Sequence, residues 1–201
     1  MAPADTDRFK RAIAAIDAAN ADDPNVIVVR GRERAKELAH AELVTEWVRR
    51  LRPDASEELL LAARAHHVRR WEVPRDSYPD GRSGYLRWRR ALHDLHADVA
   101  AAALADAGYE PAAIARVQAI IRKRGLTRDA EVQALEDALC LVFLETQFGA
   151  LAARLDTEKM DDVVRKTLVK MSDAGKQLAS TLELDEQERA ALERALRPPA
   201  G

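Results

Sequence analysis

Five histidines, His40, His66, His67, His93 and His96, carry most of the chemistry this sequence can offer. Imidazole changes charge near neutral pH and is the commonest protein ligand for transition metals. Turning each helical segment by about 100° per residue sorts the five. His67 lies on the stripe of Leu60 and Trp71, while His66 points away from it. His96 sits at the edge of a seam of Tyr85, Trp88, Leu92, Leu95 and Val99, with His93 further round towards solvent. His40 belongs to a segment whose buried side is marked by Leu43, Val44, Trp47 and Val48. Two carboxylates, Glu136 and Asp137, directly precede the wholly apolar run 138–144. Asp137 shares a face with Leu141, Leu144 and Phe148, and Glu136 with Val132, Leu139 and Phe143. A carboxylate buried without a partner must protonate or find a cation. A metal, an arginine or a histidine would each serve. The expectation is that His67, His96 and Asp137 converge, with His66 and His40 as further donors. Imidazoles with carboxylates suit Fe, Mn, Zn or Ni, whereas Mg and Ca prefer oxygen.

A second feature is basic. Arg64, Arg69, Arg70, Arg75, Arg82, Arg87, Arg89 and Arg90 face only Glu72, Asp76 and Asp80 in the same stretch. Guanidinium forks match phosphate and carboxylate geometry. Trp71, Tyr78, Tyr85 and Trp88 are interleaved and could stack on a ring. Arg69, Arg70, Arg75, Tyr78 and Arg82 are therefore the candidate lining for a small anionic ligand. Outside this stretch only Arg122-Lys123-Arg124 extends the charge, which disfavours a nucleic-acid groove.

These groups must be positioned by helices. Apolar periodicity predicts helices over 6–21, 33–51, 54–71, 84–107, 111–125, 127–148 (extending towards 155), 157–181 and 185–197. Asp54 with Glu57, and Asp185 with Glu188, read as capping boxes, and Pro111 fits a first helical turn. Val26-Ile27-Val28-Val29 is the only β-like run and, lacking an obvious partner, reads as an extended connector. The loop 72–83 carries Pro74, Pro79 and Gly81, and a loop this long points to a ligand gate. Segments 59–68 and 138–144 are apolar all round and belong in the interior. The reading is an all-α fold of seven to eight helices in one domain, 1–201, with a core over 6–182 and a short last helix over 185–197.

The composition agrees. A chain 47% hydrophobic and 33% charged has enough apolar side chain to fold, which excludes a disordered protein. The net charge of -2 gives no global pull towards nucleic acid or membrane. One cysteine, Cys140, cannot form an internal disulfide, and residues 1–10 hold no apolar leader. A cytoplasmic location is the corresponding expectation. No Gly-rich phosphate loop, zinc knuckle or nucleophile elbow is present.

Two resemblances follow from these residues. The phrases His66-His67-Val68-Arg69-Arg70-Trp71-Glu72, Gly84-Tyr85-Leu86-Arg87-Trp88-Arg89 and Leu135-Glu136-Asp137-Ala138-Leu139-Cys140 resemble an uncharacterised bacterial and fungal family, domain-of-unknown-function family 4202. It implies a single all-helical domain and no known activity. In that family the position of His66 is often glutamine and that of His40 often tyrosine, whereas His67, His96 and Asp137 match. More distantly, the order of His40, the pair His66-His67 and Asp137 resembles the HD superfamily of metal-dependent phosphohydrolases, with His67 where the paired aspartate would stand. That resemblance implies an HD-like helical arrangement, a divalent transition metal and hydrolysis of a phosphorylated, nucleotide-like ligand. Glu136 or Asp137 would then orient the attacking water. The alternatives are a non-haem iron oxygenase on the same scaffold and a non-enzymatic module whose arginines grip an acidic partner or RNA.

Overall fold

The structure, a computed structural model, describes residues 6–152 and 154–197. It is predominantly α-helical, with one two-stranded sheet among the described residues. The chain divides into two compact units, 1–135 and 136–201.

The first unit contains α1 (Asp7–Ala21), β1 (Val26–Val29), β2 (Arg32–Ala35), α2 (Lys36–Leu51), α3 (Glu57–Ala65), α4 (Gly81–Asp106), α5 (Pro111–Ile121) and the start of α6 (Ala130–Thr146). Helix α3 is its centre, packed by α1, α2, α4 and α5. Its sequence explains why. Leu59, Leu60, Leu61, Ala62, Ala63 and Ala65 point all round the helix and every one is buried, with Arg64 as the one charged side chain among them. The alanines let neighbouring helices approach closely. Ser56 opens α3 by accepting from the Leu59 amide at 3.0 Å, so the cap is Ser56 rather than the expected Asp54.

Two further expectations are corrected. The run 26–29 is not a lone connector. It pairs antiparallel with 32–35, Val29 opposite Arg32. Arg30 and Gly31 both take positive φ, 51° and 75°, as a two-residue hairpin turn requires. The partner strand Arg32-Glu33-Arg34-Ala35 is polar, so its hydrophobic pattern gave no sign of it, and α2 begins at Lys36 rather than Glu33. Helix α3 also stops six residues short of the expected Trp71. After Ala65 the chain closes a turn, with the Val68 amide donating to Ala65 O at 3.0 Å. Arg69 adopts a left-handed φ of 56°.

That turn is tied to α1. The Arg69 amide donates to Asn20 Oδ1 at 3.2 Å, and Arg64 forks onto Asp17 with Nη2–Oδ2 of 2.7 Å. The following segment is tied to α4. Trp88 Nε1 donates to Val73 O at 2.8 Å. At Gly84 an added Cβ would lie 1.8 Å from Pro79 O, so only glycine lets the start of α4 pack this closely on the connection. In place of the expected loop 72–83 stands a tethered connection over 66–80 that holds two short 3-10 turns, Arg70–Glu72 and Arg75–Ser77.

The second unit contains the rest of α6, then α7 (Phe148–Ala152), α8 (Thr157–Leu168), α9 (Asp173–Ala179) and α10 (Glu186–Leu196). Helix α10 packs on α7 and α8, and the expected Asp185/Glu188 capping box opens it. The long helices expected over 127–155 and 157–181 are each broken in two. Ser172 causes the second break, because its side chain accepts from the Gly175 amide and starts a new helix. With these breaks, ten α-helices are present among the described residues. None of the described helices is long and apolar enough to cross a membrane.

Candidate metal centre

Early termination of α3 decides the geometry of the site. On a continuing helix His66 and His67 would point about 100° apart. In the turn after Ala65 both rings instead face His40 on α2. The His66–His67 ring centroids are 4.2 Å apart, His40–His67 4.9 Å and His40–His66 5.2 Å. One nitrogen from each of the three can be chosen so that all lie within 4.8 Å of one another, close enough for a shared metal ion. His96 on α4 lies beside them, its ring 5.7 Å from His67.

Hydrogen bonds fix how these rings are presented. His66 Nδ1 lies 2.8 Å from Ala63 O, and His96 Nδ1 lies 2.8 Å from Val68 O. A carbonyl only accepts, so both Nδ1 atoms carry the proton and both Nε2 atoms keep a lone pair. Those two Nε2 atoms, together with His40 Nδ1, are buried without a hydrogen-bond partner. Backbone oxygens holding one ring nitrogen while the other faces the centre is how metal-ligating histidines are oriented. His40, His66 and His96 are buried, while the His67 side chain keeps 23% of its surface exposed and marks the open side.

A carboxylate also faces this centre, and the sequence reading missed it. Glu37, one turn before His40 on α2, places Oε2 3.2 Å from His67 Nδ1, and its Oε1 lies 3.9 Å from Arg70 Nε. Oε2 is buried with no aligned donor. Glu37 is held there from below. Helix α2 lacks a side-chain cap of its own, and Asp23 Oδ2 accepts from the Glu37 amide at 2.9 Å. The legible signal was the Glu37/His40 spacing of three, which stacks the two on one helix face.

Burial sets the electrostatics. It pushes the Glu37 carboxyl up to about 7 against the pull of Arg70 and Lys36. Burial likewise lowers His40 to about 4, with Arg70 and Lys36 adding to the effect. His96 falls to about 3, chiefly by burial. His66 and His67 drop well below the ordinary range through burial and then through each other's company. All four imidazoles are therefore neutral at pH 7, so an ion binding there need not displace their protons.

The remaining candidates are distributed as follows. Arg70 reaches the centre and is partly desolvated, which lowers its pKa, and its guanidinium lies 4.9 Å over the Trp88 ring. Arg69 pairs with Glu72 at the surface. Arg75 donates to the carbonyls of Tyr78 and Pro79, at 2.8 and 3.1 Å, and so holds its own loop. Arg82 lines a shallow groove on α4 with Leu86, Arg87 and Arg90. His93 contacts Arg89 at 3.4 Å. Glu136 and Asp137 are buried and belong to the second unit. There Asp137 Oδ1 accepts from the Ser172 amide at 2.8 Å and Oδ2 from the Ser172 hydroxyl.

Comparison with known proteins places the chain in a family without assigning it a role. No curated protein and no solved structure matches it. Residues 10–192 match the model of a family described as Domain of unknown function (DUF4202). That match takes in α2, the turn after α3 and α4, and with them every residue of the histidine cluster. The chain belongs to the DUF4202 family.

Proposed function

We propose that this protein is a transition-metal enzyme in which His40, His66 and His67 hold a divalent ion, with His96 beside them, and that it hydrolyses a small phosphorylated, nucleotide-like ligand. One observation carries the reading: His40, His66 and His67 can bring one nitrogen each to within 4.8 Å of one another, and His40 Nδ1 and His66 Nε2 are buried with no hydrogen-bond partner among the described residues. Leaving a buried polar group unsatisfied costs about 1–3 kcal/mol. A cation that accepts several such lone pairs removes that cost. The nitrogen-rich donor set favours Fe, Zn, Ni or Mn over Mg or Ca.

Hydrolysis follows from what such an ion supplies, a bound water of lowered pKa and a charge that polarises a phosphoryl oxygen. His67, 23% exposed, is the part of the cluster within reach of solvent. Arg70, partly buried and backed by Trp88, supplies the fixed positive charge that an anionic ligand and its transition state need.

Elemental analysis of untagged purified protein tests the metal, with about one ion per chain expected. Turnover of bis(p-nitrophenyl) phosphate and of nucleoside phosphates by Mn- or Fe-loaded protein tests the reaction. His66→Ala and His67→Ala should abolish both metal and turnover. Metal retention without phosphatase activity, together with a visible absorbance that changes on admitting oxygen, would replace hydrolysis by the oxygenase alternative.

A further inference from the structure

Beyond its ligands, the site contains a group that serves them indirectly. We infer that Glu37 is the positioning residue for His67: it accepts from His67 Nδ1–H, leaving Nε2 to face the ion, and is itself steadied by Arg70. This inference rests on the metal-centre reading above and adds a residue to it.

The pattern of the other rings supports the assignment. His66 and His96 each direct Nδ1 at an oxygen, Ala63 O and Val68 O, and each leaves Nε2 unpartnered. His67 repeats the arrangement with a side-chain oxygen, since its Nδ1 lies 3.2 Å from Glu37 Oε2. Glu37 lies outside the set of mutually close donors formed by His40, His66 and His67, as expected of a group that touches a ligand and not the ion.

The use of a carboxylate at this one histidine has a physical reason. His67 is the most exposed ring of the cluster and lies two residues past the end of α3, so it has the least packing to hold it. Backbone carbonyls suffice for the buried rings. The exposed one needs an anionic acceptor, whose hydrogen bond is shorter and stronger and makes the imidazole a better donor. Arg70 Nε, 3.9 Å from the far oxygen, favours the carboxylate form and so opposes the effect of burial on Glu37. The Asp23 bond to the Glu37 amide holds the base of the side chain.

Two measurements test the assignment. The first needs no metal. Long-range ¹H–¹⁵N correlation spectra of the metal-free protein should show His67 as the Nδ1–H tautomer in the wild type. Glu37→Leu should shift His67 towards the Nε2–H form and leave the His66 and His96 tautomers unchanged. A wild-type His67 already in the Nε2–H form overturns the inference whether or not metal binds. The second measures Co²⁺ affinity by chelator competition, alongside the visible spectrum of the Co²⁺ form. Glu37→Gln should weaken binding about ten- to a hundredfold with band positions unchanged, as loss of an orienting partner does. Glu37→Asp should recover part of the affinity. Moved bands would make Glu37 a ligand, and unchanged affinity would make it a bystander; either result sinks the positioning role. Failure of the wild type to bind Co²⁺ at all would remove the metal-centre reading instead, with the tautomer result still deciding what Glu37 does to His67. Circular-dichroism melts of each variant establish that it is folded.

Discussion

Two sets of buried polar groups sit in this chain, and they differ in one respect. In the second unit, Asp137 is buried and both its oxygens are taken up by Ser172, at the amide and the hydroxyl. In the first unit, His40, His66, His96 and Glu37 are equally buried, and each keeps an atom with no hydrogen-bond partner. From the sequence the two sets look alike, ionisable groups amid apolar runs. The difference teaches that burial of a titratable side chain does not mark a site. What marks it is a remaining lone pair that the fold has left open, because a protein pays for such an atom only where something else completes it. Asp137 is a helix-joining residue, tying α6 to the start of α9.

The sharpest way to break this comparison is to supply or withdraw metal. Zinc at about a thousand times its dissociation constant should stabilise the wild type by roughly 4 kcal/mol, read as a rise in melting temperature, since the ion binds only the folded chain. In His66→Ala and in His67→Ala that rise should vanish. A full rise in either variant would place the ion elsewhere.

Asp137→Ala should do the reverse. It removes two charge-assisted bonds to Ser172 and should cost about 3 kcal/mol in urea unfolding, with metal content unchanged. Loss of metal at unchanged stability would make Asp137 a ligand and erase the contrast.

The pH response sharpens the comparison further. His40 and His96, lowered to about 4 and about 3, together with His66 and His67, bind fewer protons folded than unfolded below pH 6.5. Their contribution to stability is present above the ordinary histidine pKa and is lost as the pH falls from about 6.5 towards 4. Glu37, raised to about 7, acts in the opposite sense: it binds more protons folded, and its contribution fades as the pH rises from about 4.5 through 7. Four groups outweigh one, so metal-free protein should become less stable on acidification from pH 6.5 to 4.5. His40→Phe should flatten that slope. A slope insensitive to the cluster histidines would mean that other groups control it.

The smallest effect is expected at Arg75. Its guanidinium holds the carbonyls of Tyr78 and Pro79, so Arg75→Ala should lower stability by about 1 kcal/mol and leave metal affinity within twofold. The experiment also tests the gate expected of this loop. A large loss of ligand binding at constant stability would restore the gate.

Much of the fold was written in local sequence. The all-round apolarity of 59–65 put α3 at the centre, Pro111 opened α5, and Asp185 with Glu188 opened α10. These signals are short-range, since periodicity, caps and breakers act within one or two turns. They also nominated His40, His66, His67 and His96. Sequence could not fix the places where a residue distant in the chain decides a local conformation. The polar strand 32–35 exists because 26–29 pairs with it. The end of α3 at Ala65 is held by Asp17 and Asn20 of α1, nearly fifty residues earlier. That one turn swings His66 and His67 onto the same centre, where a helical wheel had set them apart. It also brings His67 beside Glu37, whose partner in the sequence was only His40. Residue types and their spacing thus determined which groups could bind a metal. Tertiary structure decided which of them keep a free lone pair, because hydrogen-bond satisfaction depends on partners that only the folded chain brings within reach.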